Sequence, residues 1–245
     1  MSYFSSFPIE AYNFGNEVDT TFIQNISAYA DVFNTMKNDV SFYEQYEILD
    51  NERPDILSHK LYGTTEYYWT FFLMNDSLKT VGWPVTYNDL VSFVKKKYPN
   101  TNLVTQTQFF DKFAIGETIV GQTSASSAVV TGRDVNLGHI IVKGTPSFQA
   151  GETIQKQGDS TKTIVLKSSS LEYLASRYHN AVDSDNLVYR IDIDPTVDVP
   201  ALVTPVTHIK HYENVNNENK RIRVITSDNI LTVVSEFSRA LKEII

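Results

Sequence analysis

The sequence predicts an α+β fold in which a small β-rich module interrupts a mixed helical and stranded core. Apolar residues recur at helical spacing in several segments and alternate in others, and a central Gly/Thr/Ser/Val-rich section repeats itself. The chain has 245 residues, of which 42% are apolar and 20% charged, so it can bury a substantial core. We divide it into an arm and helix (1–44), a core (45–105), an inserted β-rich repeat module (106–168) and a C-terminal segment (169–245).

The N-terminal region predicts an extended arm followed by one helix. Residues 1–20 contain Pro8 and Gly15, which interrupt regular structure. Thr20 or Thr21 would cap a helix whose apolar stripe comprises Phe22, Ile26, Tyr29, Phe33 and Met36. The period then changes to two, which predicts a half-buried strand that ends near Asp50 and carries Val40, Phe42, Tyr46 and Ile48.

Residues 53–76, which we call the aromatic stretch because six of them are aromatic, predict two helices around one glycine. Pro54 suits a first helical turn, and Gly63 stands where a left-handed residue ends a helix. Thr64 or Thr65 would cap the second helix, which closes at Asn75-Asp76. A turn at Gly82-Trp83-Pro84 and a short third helix over 88–97 follow.

The middle of the chain predicts a small β-barrel or sandwich. FAIGETIVGQTSASSAVV (113–130) matches FQAGETIQKQGDSTKTIV (148–165) at an offset of 35, and the glycine-bounded GHIIVKG (138–144) lies between them. Short strands separated by glycine turns are typical of such modules. The Gly-Glu-Thr triplets lack the lysine of a phosphate loop, so we interpret them as turns with glycine at positive φ.

The C-terminal segment is best defined at its end. A helix could occupy 168–182, and the alternation in 186–200 indicates a strand that ends at prolines. RIRVIT (221–226) predicts a further strand, and Ser227 or Asp228 would cap a final helix. Its apolar stripe consists of Ile230, Val234, Phe237, Leu241 and Ile244.

Composition argues against several classes of function. The net charge is −8 and the pI about 5.1, which disfavours wrapping of nucleic acid. The chain has no cysteine, hence no disulfide framework and no thiolate zinc site. The first residues, MSYFSSFPIE, do not resemble a secretion signal, and no apolar run is long enough to span a bilayer. We therefore expect a cytoplasmic origin and no membrane partner.

No set of residues predicts a catalytic, cofactor or metal site. His208 and His211 form one close histidine pair, but nearby prolines and β-branched residues favour extended chain there, and no further ligands are evident. The acids Asp183, Asp185, Asp192 and Asp194 lie in a polar setting typical of a solvated face rather than of calcium or paired-carboxylate chemistry.

The aromatic stretch itself allows two interpretations. Tyr62, Tyr68 or Trp69 could line a shallow groove that stacks on a sugar or a partner chain. Alternatively, the large side chains pack the two helices on a sheet, which is the commoner use of periodic apolar residues. We favour packing for Leu57, Leu61, Trp69, Phe72 and Leu73.

The same stretch resembles known families at two levels. Asp55-Ile-Leu, Leu61-Tyr62-Gly63, Trp69 and Asn75 resemble a LysM module, a βααβ unit that in many proteins binds N-acetylglucosamine polymers. A longer series resembles the baseplate wedge protein of T4-like contractile-tailed phages, the gene-53 product family, which carries a LysM-like core. That series is Pro8-Ile9-Glu10, Arg53-Pro54, Leu61-Tyr62-Gly63, Tyr68-Trp69, Asn75-Asp76, Gly82-Trp83 and the C-terminal ENKRIRVITSDNI.

The resemblance implies a virion protein of the tail baseplate, assembled in the host cytoplasm and without enzyme activity. It would bridge neighbouring wedges and help six of them close into a ring around the hub. Its partners would be other wedge subunits, including the core-bundle proteins and the sheath-like wedge protein. A peptidoglycan or N-acetylglucosamine-binding module is the alternative. The family-motif and interface candidates are Arg53, Pro54, Leu61, Tyr62, Gly63, Tyr68, Trp69, Asn75, Asp76, Trp83, Ile230, Val234, Phe237 and Leu241.

Overall fold

The structure, a computed structural model, describes residues 7–13, 15, 20–25, 37, 39–109 and 111–242. The chain divides into two compact units: unit 1 comprises Met1–Thr86 and Asn216–Ile245, and unit 2 comprises Tyr87–Val215. Helices and strands occur in both, which confirms the α+β class with an inserted β-barrel. None of the helices in these ranges combines the length and apolar character that crossing a bilayer requires.

Short helices and strands make up both units, and they are numbered in chain order. The helices are α1 (Pro54–Tyr62), α2 (Trp69–Met74), α3 (Asp76–Val81), α4 (Tyr87–Lys97), α5 (His208–Glu218) and α6 (Ile230–Lys242). The strands are β1 (Ile9–Tyr12), β2 (Thr21–Gln24), β3 (Tyr43–Glu47), β4 (Thr101–Thr105), β5 (Thr118–Gly121), β6 (Ser127–Asp134), β7 (His139–Val142), β8 (Thr153–Lys156), β9 (Asp159–Leu171), β10 (Ser176–Val182), β11 (Val188–Ile191), β12 (Val203–Thr207) and β13 (Arg221–Ile225).

Near the N-terminus, β1 and β2 form a two-stranded antiparallel ribbon, with Ile9 opposite Gln24 and Tyr12 opposite Thr21. The predicted helix is therefore wrong at its start, where Phe22 lies in a strand. Thr21, Phe22 and Ile23 are β-branched or aromatic, and pairing with β1 favours their extended form. The remaining stripe residues, Ile26, Tyr29, Phe33 and Met36, lie outside the described residues.

The sheet of unit 1 joins two distant parts of the chain. Strand β3 pairs antiparallel with β13, so that Tyr43 lies opposite Ile225 and Glu47 opposite Arg221. Both strands were predicted at these places, but their pairing was not. The strand that pairs with β3 is thus β13, which lies almost 150 residues after α2 in the sequence.

Helix α1 begins and ends where the sequence predicts. Pro54 occupies the first turn, and Gly63 ends the helix at φ 73° while its N–H donates to the His59 carbonyl at 2.9 Å. The Thr64 hydroxyl then accepts from the Glu66 N–H and caps a short 3-10 turn over Thr65–Tyr67, which leads into α2. Helix α3, which follows Asn75, was not predicted.

The described residues of unit 1 form two apolar clusters on its helices and sheet. One consists of Ile48, Leu57, Phe71, Leu78, Ile222 and Val224. The other includes the final helix and consists of Phe7, Trp69, Met74, Ile225, Ile230, Val233, Phe237 and Leu241. Helix α6 therefore covers the core of its own unit.

The repeat module forms a closed six-stranded barrel together with β4, which precedes it, in the order β4-β7-β6-β5-β8-β9. Equivalent residues of the two repeats have equivalent places: the barrel core contains Phe113, Phe148, Ile119 and Ile154. Gly116 and Gly151 have φ of 92° and 83°. The interpretation of the Gly-Glu-Thr triplets as glycine turns is confirmed.

The glutamate of each triplet closes its own turn. The Glu117 carboxylate accepts from the Ala114 N–H at 3.0 Å, and the Glu152 carboxylate accepts from the Gln149 N–H at 2.6 Å. Glu152 is the more buried and also accepts from the N–H groups of Thr123 and Ser124 and from the Ser124 hydroxyl. Although burial raises its pKa, these hydrogen bonds hold the pKa of Glu152 below its usual value.

Two predictions in the rest of unit 2 were wrong. Residues 168–182 are not a helix, because the serines of β9 pair with β4 (Ser170 opposite Asn102) and β10 follows after a short turn. His208 and His211 are not in extended chain, because α5 begins at His208. The Thr207 hydroxyl accepts from the Lys210 N–H at the start of α5, and the nearby Pro205 precedes the helix.

The last part of unit 2 is a three-stranded antiparallel sheet in the order β11-β10-β12. Strand β10 is central: Asn180 lies opposite both Arg190 of β11 and Thr204 of β12. The outer strand β11 thus has a sheet neighbour on one side within the described residues.

Candidate interaction surfaces

The polar residues of the aromatic stretch hold strand β13. The Tyr62 hydroxyl donates to the Ile225 carbonyl at 2.9 Å, and burial raises the pKa of Tyr62. The Asn75 side-chain amide donates to the Arg223 carbonyl at 2.8 Å and accepts from the Arg223 N–H at 2.9 Å. The same amide also donates to the Phe71 carbonyl. These contacts attach the helices to the C-terminal strand.

Both tryptophans pack within unit 1, with Trp69 buried and Trp83 half-buried. Trp69 is 6% exposed, and its ring centroid lies 5.1 Å from that of Phe237. The Trp83 indole donates to the Glu52 carbonyl at 2.7 Å, while its ring contacts Phe71 and Phe72. Trp69 is therefore in no position to stack on a glycan.

The apolar stripe of α6 also packs against the core of unit 1. Ile230, Phe237 and Leu241 are buried, and Val234 packs partly buried against the same cluster. Leu61 and Pro54 are half-buried on α1. Packing, rather than an open groove, accounts for the contacts of these side chains.

Four candidate residues remain open to solvent: Arg53, Gly63, Tyr68 and Asp76. Arg53 forms an exposed ion pair with Asp55. Asp76 accepts from Lys37 and Lys79, and these hydrogen bonds lower its pKa to about 2. Tyr68, which is 41% exposed, is the aromatic candidate most accessible to a ligand.

Among the described residues of unit 1, the ribbon of β1 and β2 forms an exposed apolar surface. All eight of its residues are exposed, including Ile9 at 64%, Tyr12 at 51% and Phe22 at 74%. A two-stranded ribbon is marginally stable in water unless another element covers it. Sequence reasoning missed this ribbon, since the spacing of Phe22 also fits a helix.

Two of the four acids and the histidine His208, which the sequence singled out, have structural contacts. Asp183 and Asp194 close turns by accepting N–H bonds from Leu187 and Thr196. His208 stacks on Tyr98 with ring centroids 4.1 Å apart, and burial lowers its pKa to about 4. Nowhere in the part of the chain that the structure describes do three or more potential ligands gather for a metal ion.

Unit 2 contains a cavity of about 390 Å³ against the outer wall of the barrel. Val104, Ser168 and Ser170 of the barrel line one side, and His139 and His179 contribute two imidazoles. Burial lowers the pKa of both histidines, to about 4 for His139. Both rings are therefore neutral at pH 7.

The three lysines at the end of α4 are a solvated face with aromatic neighbours. The Lys97 ammonium lies 5.2 Å from the Tyr212 ring centroid and 5.7 Å from that of Phe93. Lys95 lies 5.5 Å from the Tyr173 ring centroid. Cation–π contacts of this kind orient the lysines without creating a site by themselves.

Comparison with known proteins locates the N-terminal part of the chain in a family. Residues 8–109 match the family model described as base plate wedge protein 53. No curated protein matches the chain. The matched residues include the ribbon, both helices of the aromatic stretch, Asn75 and Trp83. This match covers less than half of the chain; it makes residues 8–109 similar to base plate wedge protein 53 and supports a baseplate wedge protein family.

Proposed function

We propose that this chain bridges neighbouring wedges of a phage tail baseplate and helps six of them close into a ring around the hub. It would be assembled in the host cytoplasm and remain in the virion. The partners would be other wedge subunits, namely the core-bundle proteins and the sheath-like wedge protein. The family match over residues 8–109 supports a baseplate role, and the exposed β1–β2 ribbon of unit 1 supports the bridging role.

The β1–β2 ribbon is the observation that carries this proposal. It lies within the matched residues, presents Ile9 and Phe22 to solvent, and has two sheet edges without a further strand in the described chain. Binding to another subunit would cover the apolar side chains and supply hydrogen-bond partners to an open edge. A closed ring also requires each subunit to present two different contact surfaces.

The test combines the full chain with purified wedge subunits of the same phage. In the double variant Ile9→Asp/Phe22→Asp, charges replace two exposed apolar side chains, so unit 1 should keep its thermal stability. We expect the variant to lose co-sedimentation with the core-bundle and sheath-like subunits in analytical ultracentrifugation. The matched control is Ile115→Asp/Leu202→Asp, at positions 68% and 77% exposed in unit 2, and it should bind like wild type. If the wild-type chain bound none of the wedge subunits, the bridging role would be refuted.

The alternative is glycan binding through a LysM-like core. Exposed Tyr68 is the residue that supports it, whereas buried Trp69 does not. Retention of the full chain on insoluble peptidoglycan, abolished by Tyr68→Ala without unfolding, would favour this alternative over the structural role. We expect no retention.

A further inference from the structure

Strand β11 is an open edge of the sheet in unit 2. It pairs with β10 on one side, from Val182 opposite Val188 to His179 opposite Ile191. On its other side no strand lies among the residues that the structure describes. An edge of this kind presents unpaired backbone N–H and C=O groups that can accept another strand.

Both faces of β11 are also accessible over its first three residues. Val188 is 58% exposed and Tyr189 is 47% exposed, and successive strand residues point to opposite faces. Leu187, before the strand, is 65% exposed, and Val182 beside Val188 is 43% exposed. An incoming strand would therefore find apolar side chains on both faces as well as an open edge.

Acidic residues flank this edge at both ends. Asp183 and Asp185 lie in the turn before β11, and Asp192 and Asp194 follow it, whereas Arg190 is the one Lys or Arg between residues 183 and 198. The Arg190 guanidinium lies 5.2 Å from the Tyr178 ring centroid, over the sheet. Asp198 meets Lys167 at 3.5 Å and is 89% exposed. The edge therefore carries a net negative charge.

We propose that the free edge of β11 is a docking site for an extended, lysine- or arginine-bearing segment of another protein, which adds as a further strand of the β11-β10-β12 sheet. Backbone hydrogen bonds and the apolar side chains would provide affinity, and the aspartates would select a basic partner. This site lies outside residues 8–109 and does not depend on the bridging role.

In the register centred on the strand, charge opposes a second copy of this chain as the occupant. If two β11 strands paired antiparallel about Tyr189 and Arg190, Asp194 of one copy would lie opposite Asp185 of the other. Like charges at opposed positions destabilise a pair of strands. The same aspartates that would attract a basic segment therefore oppose self-pairing, a common protection of sheet edges.

The test uses the full chain and a fluorescent ten-residue peptide of alternating lysine and valine. We expect saturable binding in fluorescence anisotropy that weakens with salt, together with slower amide hydrogen exchange in residues 187–191. An alternating glutamate–valine peptide should not bind. A lysine–valine peptide whose backbone nitrogens are methylated along one edge should pair with β11 only through its other edge, where the N–H groups remain.

Asp194→Asn and Asp159→Asn provide a matched pair of variants. Each aspartate accepts from the N–H and hydroxyl of the threonine two residues later, Thr196 or Thr161, so each substitution perturbs the same kind of turn. We expect Asp194→Asn to weaken binding at least about fivefold, since it removes a charge close to the docked peptide, and Asp159→Asn to leave it unchanged. Equal weakening by both variants, absence of binding, protection elsewhere in the chain, or wild-type dimerisation through β11 would each overturn the proposal.

Discussion

The side chain of Asn75 forms a two-way hydrogen bond with the backbone of Arg223, donating to its carbonyl and accepting from its N–H. A third bond reaches the Phe71 carbonyl at the end of α2. One amide thereby connects the helices of unit 1 to a strand 148 residues later in the sequence. The stability of unit 1 should depend strongly on this side chain.

The first prediction is that Asn75→Ala destabilises unit 1 by about 2–3 kcal/mol, because backbone groups of Arg223 and Phe71 lose their partners. Urea unfolding monitored by tryptophan fluorescence would measure it, since Trp69 and Trp83 both lie in unit 1. Asn216→Ala is the control: its amide bonds the Val85 backbone in the same two-way manner, but these hydrogen bonds are exposed to solvent. If Asn216→Ala lowered the free energy of unfolding as much as Asn75→Ala, the special importance of the Asn75 hydrogen bonds would be contradicted.

The second prediction separates the two neighbouring aromatic residues Tyr68 and Trp69. Trp69→Ala should cost about 3–5 kcal/mol, since it leaves a cavity against Phe237. Tyr68→Ala should cost less than about 1 kcal/mol at its exposed position. Thermal unfolding of the two variants gives the comparison. Similar midpoints for both would mean that Trp69 does not form part of the core.

The third prediction concerns the two glutamates of the repeat. Glu152→Ala should destabilise the barrel by about 2–3 kcal/mol, because four donors lose a buried acceptor. Glu117→Ala should cost less, since Glu117 accepts one backbone bond and forms an accessible ion pair with Lys156. Hydrogen exchange of barrel amides would report both losses. Equivalent losses would show that burial of the carboxylate does not matter.

The fourth prediction is a loss of stability in acid that depends on His139. Burial lowers the pKa of His139 to about 4, whereas an unfolded histidine titrates near 6.5. The unfolded state therefore binds the proton first, and the contribution of the neutral ring is lost as the pH falls from about 6.5 towards 4. Between pH 7.5 and 5.5 we expect unit 2 to lose on the order of 1 kcal/mol through this group.

Comparison with His139→Asn isolates that contribution. His179 and His208 also have lowered pKa values and remain in the variant, as does Asp134, which opposes the shift of His139. We expect a shallower decline of stability with pH, measured by hydrogen exchange of barrel amides at each pH. An identical decline in both proteins would rule out His139 as a contributor.

Local signals in the sequence predicted much of the fold. Pro54 and Gly63 fix the ends of α1 through backbone geometry alone, and the stripe from Ile230 to Leu241 identifies α6 by its period. Two copies of one repeat with glycine turns predicted a barrel or a sandwich, and the structure has the barrel. Each of these signals acts within a few residues of chain.

Pairings between distant segments could not be predicted in the same way. Phe22 fits a helical stripe and a strand equally well, and β1 decides between them. Residues 168–170 extend β9 because β4 is beside them, although their composition permits a helix. The contacts of Tyr62 and Asn75 with β13 likewise depend on tertiary structure. The sequence singled out these two residues, but it did not predict that they bind β13. Their participation in an interface stays a prediction.

The pairing of β3 with β13 has a consequence for synthesis on the ribosome. Unit 2 is continuous in the chain and can fold as soon as it emerges, whereas β3 must wait until residues 221–225 have been made. A prematurely terminated product would thus carry a finished barrel beside an unfinished first unit. The β3–β13 sheet can therefore form only in products that extend through residue 225.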